Sequence, residues 1–188
     1  MEIRVVFTSC KDFKVPDAPV AASVFYSFDS SLDGWSSNGT SGESLSINTN
    51  TTYVEAGTGS AKCICSLGAL PAKIAILYQY FPGYVNLTSR TVTIWVYVPV
   101  DLAAMNPGFY LDLWYRRDSQ PGWEWKPGYT LNTAGWVKET YTFPPYSTDS
   151  SYNTYDFHDV SAMYFAVENN MASPADWNGT IYFDELSW

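Results

Sequence analysis

From residue 24 onward the helical period is nearly absent from this chain. Apolar and polar positions alternate in short runs instead. Clusters of Gly, Pro, Asn, Asp and Ser separate those runs, as they do between half-buried strands joined by turns. The pattern predicts strands over 24–28, 44–48, 60–66, 74–81, 91–98, 109–116, 124–126, 136–143, 162–168 and 180–188. Asp33-Gly34, Asn106-Pro107-Gly108, Pro121-Gly122 and Asn178-Gly179 supply turn chemistry between them. Ten or so short strands with polar connections predict an all-β fold, an antiparallel β-sandwich or jelly roll. No repeat at solenoid or propeller period is present.

Three of the predicted strands repeat one design. In 91–98, Val92, Ile94, Val96 and Val98 share a face, and Thr93, Trp95 and Tyr97 share the other. In 109–116, Leu111 and Leu113 alternate with Tyr110, Asp112, Trp114 and Arg116. In 162–168, Met163, Phe165 and Val167 alternate with Tyr164, Ala166 and Glu168. Each strand thus offers an aliphatic face to a core and a second face that mixes aromatic rings with charges. An ordinary solvated face carries Thr, Ser, Lys and Glu. Large aromatics there need something to cover them.

Composition narrows the class. The 188 residues are 46% hydrophobic and 18% aromatic but only 15% charged, which excludes a mostly disordered chain. No apolar run approaches the roughly 18 residues of a membrane helix. The net charge of −9 argues against nucleic acid, whose binding rests on Lys and Arg. Three cysteines, Cys10, Cys63 and Cys65, are too few for a disulfide scaffold. Cys63 and Cys65 share a face of one strand, either as small buried hydrophobes or with one of them paired to Cys10. Residues 1–14 carry one short apolar run and 15–23 have linker chemistry. The division expected is therefore an N-terminal extension and linker over 1–23 and one domain over 24–188.

The mixed faces suit sugars. A pyranose has a C–H face that a flat Trp or Tyr ring can cover, and a hydroxyl rim that Asp, Glu and Arg can bond. The candidate contacts are Trp95, Tyr97, Tyr110, Asp112, Trp114, Arg116, Tyr164 and Glu168, with Trp123 and Trp125 from the adjoining Gln120–Trp125 segment. The alternative is that these rings pack under loops or in a second small core. Enzyme chemistry finds less support. His158 is the single histidine, no nucleophile elbow accompanies it, and it reads as a loop or capping residue. Nineteen acidic residues still permit a carboxylate-pair glycosidase.

Five stretches, in order, resemble the calcium-binding β-jelly-roll carbohydrate-binding modules of plant-cell-wall polysaccharide hydrolases, families 27 and 11 above all. They are Tyr26–Trp35 with its Phe-acid run and Gly-Trp, Val54–Lys62, Val92–Pro99, Ala134–Lys138 and Asn178–Leu186. The resemblance implies a non-catalytic module that docks a covalently attached catalytic domain on a β-1,4-linked polysaccharide, mannan or β-glucan, through a concave sheet face. It also implies secretion, a monomer, and no nucleic-acid or membrane partner. A structural Ca²⁺ near the chain ends is part of it, with Asp29, Glu55 and Asp184 as the matching ligands. The other readings are a small jelly-roll glycoside hydrolase or polysaccharide lyase, and a protein-binding adhesion domain.

Overall fold

A computed structural model describes residues 25–37, 43–67, 73–105, 109–120, 122–148, 154–169 and 176–188. The expected extension over 1–23, the linker within it and Cys10 lie outside the described residues, as do Asn106-Pro107-Gly108 and Pro121.

Two antiparallel sheets carry the fold. The first contains β1 (Phe25–Tyr26), β2 (Ser44–Asn48), β3 (Ser60–Leu67), β5 (Thr91–Val98), β8 (Gly135–Thr142) and β12 (Trp177–Ser187). Its order is β2-β3-β12-β5-β8, with β1 on the end of β12. The second contains β4 (Lys73–Val85), β6 (Phe109–Arg117), β7 (Trp123–Thr130) and β11 (Val160–Asn169), in the order β4-β11-β6-β7. Among the described residues, a two-residue pair, β9 (Ser147–Thr148) and β10 (Thr154–Tyr155), a 3-10 turn over Thr51–Tyr53 and one α-helical turn α1 (Val100–Ala103) complete it. The expected β-sandwich is what forms.

The alternation works as the sequence suggests. Val92, Ile94, Val96 and Val98 of β5 are buried, as are Leu111 and Leu113 of β6 and Met163, Phe165 and Val167 of β11. They meet Phe28, Trp35, Phe143, Phe157 and Phe183 in one core between the sheets. Cys63 and Cys65 are free thiols on the buried face of β3 and belong to that core. Two hydroxyls clip the sheets together along one side. Tyr141 on β8 donates to the Leu111 carbonyl at 2.6 Å, and Tyr129 on β7 donates to the Thr140 carbonyl at 2.7 Å.

One expected turn is corrected. Asn178-Gly179 lies inside β12, paired with Ser66 and Cys65. A Cβ at Gly179 would collide with the Trp177 ring, so glycine is here to pass under an indole and not to reverse the chain. Asp33-Gly34 is a true turn, with both residues at positive φ.

Candidate functional site

The outer face of the β4-β11-β6-β7 sheet carries an aromatic row. Tyr164 on β11 lies opposite Tyr78 on one side and Trp114 on the other, and Trp114 lies opposite Trp125. One ring thus comes from each of four strands. With strands spaced about 4.8 Å, the row spans roughly 14 Å. Trp114 is parallel to Tyr164 within 1° at 5.9 Å and to Trp125 within 17° at 6.0 Å. Trp123 meets the Tyr164 edge at 4.7 Å, and Tyr80 meets Tyr78 at 5.0 Å. Trp125, on the edge strand, is 54% exposed. Burial and the charges of Glu168 and Asp112 push the Tyr164 hydroxyl well above its ordinary value.

Polar groups flank the row on both sides. Ala162 aligns with Arg116, which lies opposite Trp123, one step from the rings. In the other direction Ala166 aligns with Asp112, and then Glu168 with Tyr110. Of the ten expected sugar contacts, the structure gathers eight on this face: Tyr110, Asp112, Trp114, Arg116, Trp123, Trp125, Tyr164 and Glu168. Asp112 differs from the expectation in one respect. It is buried, and its Oδ1 accepts from the Gly128 amide at a β-bulge. There β7 fits one more residue than β6 between Leu111↔Tyr129 and Leu113↔Lys126. The bulge keeps Trp123 and Trp125 outside while turning Tyr129 inward.

Tyr78 and Tyr80 escape the sequence reading. They follow the unbroken apolar run Ile74-Ala-Ile-Leu77, in which no alternation is visible. A register shift opposite Phe165 and Ala166 then resets the phase before Tyr78. The signal that was available is the Tyr-x-Tyr spacing of 78 and 80.

Trp95 and Tyr97 are placed elsewhere, which corrects their grouping with the others. β5 pairs with β12 and β8, so these rings lie on the outer face of the opposite sheet. Tyr97 is enclosed there. It meets Tyr53 at 5.0 Å, Trp136 at 5.6 Å and Tyr182 at 6.0 Å, and Tyr53 stacks on Tyr182 at 4.3 Å. Lys138 lies 5.7 Å over Trp95. These rings form a separate half-buried cluster, and Tyr53, Tyr97 and Tyr182 also line a cavity of about 390 Å³.

Asp29, Glu55 and Asp184 do meet at one turn. Asp184 Oδ2 accepts from the Glu55 and Ala56 amides at 3.0 and 3.2 Å. Asp29 Oδ1 accepts from the Gly59 amide at 3.1 Å and from Thr58. Burial pushes Asp184 up to about 6, against the pull of its amide donors. Burial also raises Glu55, followed by the charge and hydrogen bond of Glu185. Crowded acids invite a cation, but Ca²⁺ needs six to eight oxygens, many of them carbonyls. The 55–59 turn offers N–H groups to these carboxylates instead. Among the described residues no three Asp, Glu, His or Cys side chains gather closely enough for a metal. As arranged, this set is a hydrogen-bonded brace. It ties the turn to β12 and to the segment after β1.

His158 is exposed and pairs through Nδ1 with Asp156, whose hydrogen bond raises the imidazole pKa. It lies on the turn that precedes β11 and not on the aromatic row.

Sheet order and aromatic row together define a class, the β-sandwich fold found in carbohydrate-binding modules. Similar solved structures include one described as a promiscuous-specificity carbohydrate-binding module of the β-sandwich superfamily (16% identity, TM-score 0.57, 84% of this chain and 58% of that one). A family 11 module from Clostridium thermocellum in complex with a β-1,3-1,4-mixed-linked tetrasaccharide is also similar (11%, TM-score 0.53, 88% and 94%). So are the N-terminal CBM22-1-GH10 modules of Clostridium thermocellum endo-1,4-β-D-xylanase 10B complexed with xylohexaose (14%, TM-score 0.52, 87% and 27%). The chain thus spans less than two thirds of the first and the last of these. No protein-family model matches it, and no curated protein does. At these identities the likeness establishes the fold.

Proposed function

We propose that this chain is a non-catalytic carbohydrate-binding module that holds a parent enzyme on a β-1,4-linked polysaccharide. The carrying observation is the aromatic row Tyr78–Tyr164–Trp114–Trp125, edged by Arg116 on one side and by Asp112 and Glu168 on the other. The row is long enough for more than one sugar ring. Its exposed end at Trp125 offers a stacking surface, and Arg116 and Glu168 at its edges can bond hydroxyls while Asp112 braces the bulge beneath. Each stacked ring contributes about 1 kcal/mol beyond its area. Mannan and β-glucan are the expected ligands. Xylan joins them because one similar structure holds xylohexaose. Secretion, a monomeric state and a covalently attached catalytic domain belong to the same reading.

Affinity gel electrophoresis on mannan, mixed-linkage glucan and xylan tests it. The chain should be retarded on at least one, and Trp114→Ala and Trp125→Ala should each lose about fivefold to tenfold in affinity. Undiminished retardation of both variants would overturn the site. Release of reducing sugar would overturn the non-catalytic part.

A further inference from the structure

Glu139 on β8 stands apart from the aromatic row. It is 3% exposed, and among the described residues its carboxyl has no hydrogen-bond or ion-pair partner. Burial alone pushes its pKa up to about 7. Its carboxyl meets a cavity instead of a partner side chain, which leaves its hydrogen-bonding capacity open to a ligand.

Its position follows from the strand. Alternation along β8 turns Glu139 and Tyr141 toward the sandwich interior, with the buried Ile94 opposite Glu139. β8 is the last strand of its sheet, however, and β7 the last of the other. The interior therefore opens sideways between them. A cavity of about 370 Å³ occupies that opening. Val98, Leu131 and Val137 supply apolar surface, and Thr130, Asn132, Thr133 and Lys138 join Glu139 as polar groups, the Lys138 ammonium lying over Trp95. Tyr129 forms a wall. The bulge at Gly128 turns this ring inward, its hydroxyl is fixed on the Thr140 carbonyl, and its edge rests on Tyr141 at 5.9 Å. The ring is still 45% exposed.

We propose that this lateral pocket is a second binding site, for one neutral sugar residue, separate from the aromatic row. Tyr129 and the apolar floor suit the C–H face of a pyranose. Glu139, Asn132 and Thr133 suit its hydroxyls. A carboxyl offers two acceptor oxygens and, when protonated, a donor, all of which a sugar hydroxyl can meet. The volume lies at the lower end of the roughly 300–1,000 Å³ of ligand pockets, which suits one ring and not a chain.

The test is nitrogen-15 NMR titration of the whole chain with the methyl β-glycosides of glucose, mannose and xylose. At least one should give saturable shifts confined to amides of residues 129–139. Glu139→Met keeps the volume, removes the polar atoms and should weaken binding about tenfold. Glu139→Gln keeps a donor and an acceptor and should bind within a few-fold of the parent. Asn132→Ala, at an exposed position, should weaken it severalfold and guards against a misfolded Met variant. Trp114→Ala should leave these shifts unchanged, so failure of the row and failure of the pocket are read separately. No saturable shift with any glycoside, or titrations of Glu139→Met and Asn132→Ala that both match the parent's, would overturn the pocket.

Discussion

Gly128→Ala tests the bulge on which both sites depend. A Cβ built there lands within hard contact of the Leu111 carbonyl oxygen and carbon, and of Asp112 Oδ1. Two of those atoms are backbone, so no rotamer change can relieve the clash and β6 and β7 must part. Overpacking of this kind costs about 1–3 kcal/mol. Parting the strands also weakens the charge-assisted bond from the Gly128 amide to Asp112, worth about 1.5–3 kcal/mol. The sum, about 2.5–6 kcal/mol, is a large share of the roughly 5–15 kcal/mol that holds a domain together. At about 2–4 °C per kcal/mol for a chain of this size, the melting temperature should fall by about 5–24 °C. Gly122→Ala is the control, since its Cβ would meet nothing within 4 Å. It should stay within about 0.5 kcal/mol of the parent. Differential scanning calorimetry reads both. The folded Gly128→Ala fraction should also be less retarded on polysaccharide gels, because Trp125 is displaced from Trp114. If Gly128→Ala melts like Gly122→Ala, there is no bulge. The outward placement of Trp125 and the inward placement of Tyr129 then fall together.

Two further predictions concern carboxyls. Glu139 has a folded pKa of about 7 against an ordinary 4.5, so the folded state holds its proton longer than the unfolded state does. Its contribution to stability therefore declines as pH rises from about 4.5 to 7 and is lowest above 7. Glu139→Gln removes that penalty. The variant should be more stable than the parent by about 3 kcal/mol at pH 8, with the advantage vanishing near pH 4, by urea unfolding at each pH. A constant difference across that range would refute the assignment. At the acidic turn, the Asp29 and Asp184 carboxylates already accept from amides of the 55–59 turn, so the turn is held without an ion. A chelator should leave the melting temperature unchanged. A clear rise on added calcium, by mass action on the native state, would restore the ion that the resemblance implies for Asp29, Glu55 and Asp184.

Much of the fold was legible because strand alternation is a local property. Ser44–Asn48 and Thr91–Val98 have the bounds that the pattern gives, and the aliphatic faces of β5, β6 and β11 are buried as expected. What alternation cannot convey is which sheet a strand joins. Val92-Thr-Ile-Trp-Val-Tyr-Val98 and Phe109–Arg116 look alike as sequences, yet β5 sits between β12 and β8 while β6 sits between β11 and β7. That difference moves Trp95 and Tyr97 to the other side of the molecule. Bulges defeat the pattern in a second way, since one extra residue reverses every face beyond it. Tyr129 therefore came to face the cavity with no motif to announce it, whereas Glu139 lies on the unbulged β8, on the face it shares with Val137 and Tyr141.

Aromatic residues beside charges thus do not by themselves mark a binding face; coverage by the rest of the chain decides. Both outer faces carry Trp and Tyr in numbers. On the β2-β3-β12-β5-β8 sheet, Tyr53 swings over Tyr182 and closes on Tyr97, and the 55–59 turn seals Asp184 to 0% exposure. Those rings satisfy much of one another's surface, and Tyr53, Tyr97 and Tyr182 close round one side of a cavity of about 390 Å³ rather than forming an open row. On the β4-β11-β6-β7 sheet, Tyr80 and Trp125 remain 59% and 54% exposed at opposite margins of the row. A stacking ligand gains most where the chain leaves apolar surface in water. The same criterion separates Glu139 from Asp184. Both are buried carboxyls with raised pKa values, but Asp184 is satisfied by amides of its own chain, and Glu139 faces a cavity.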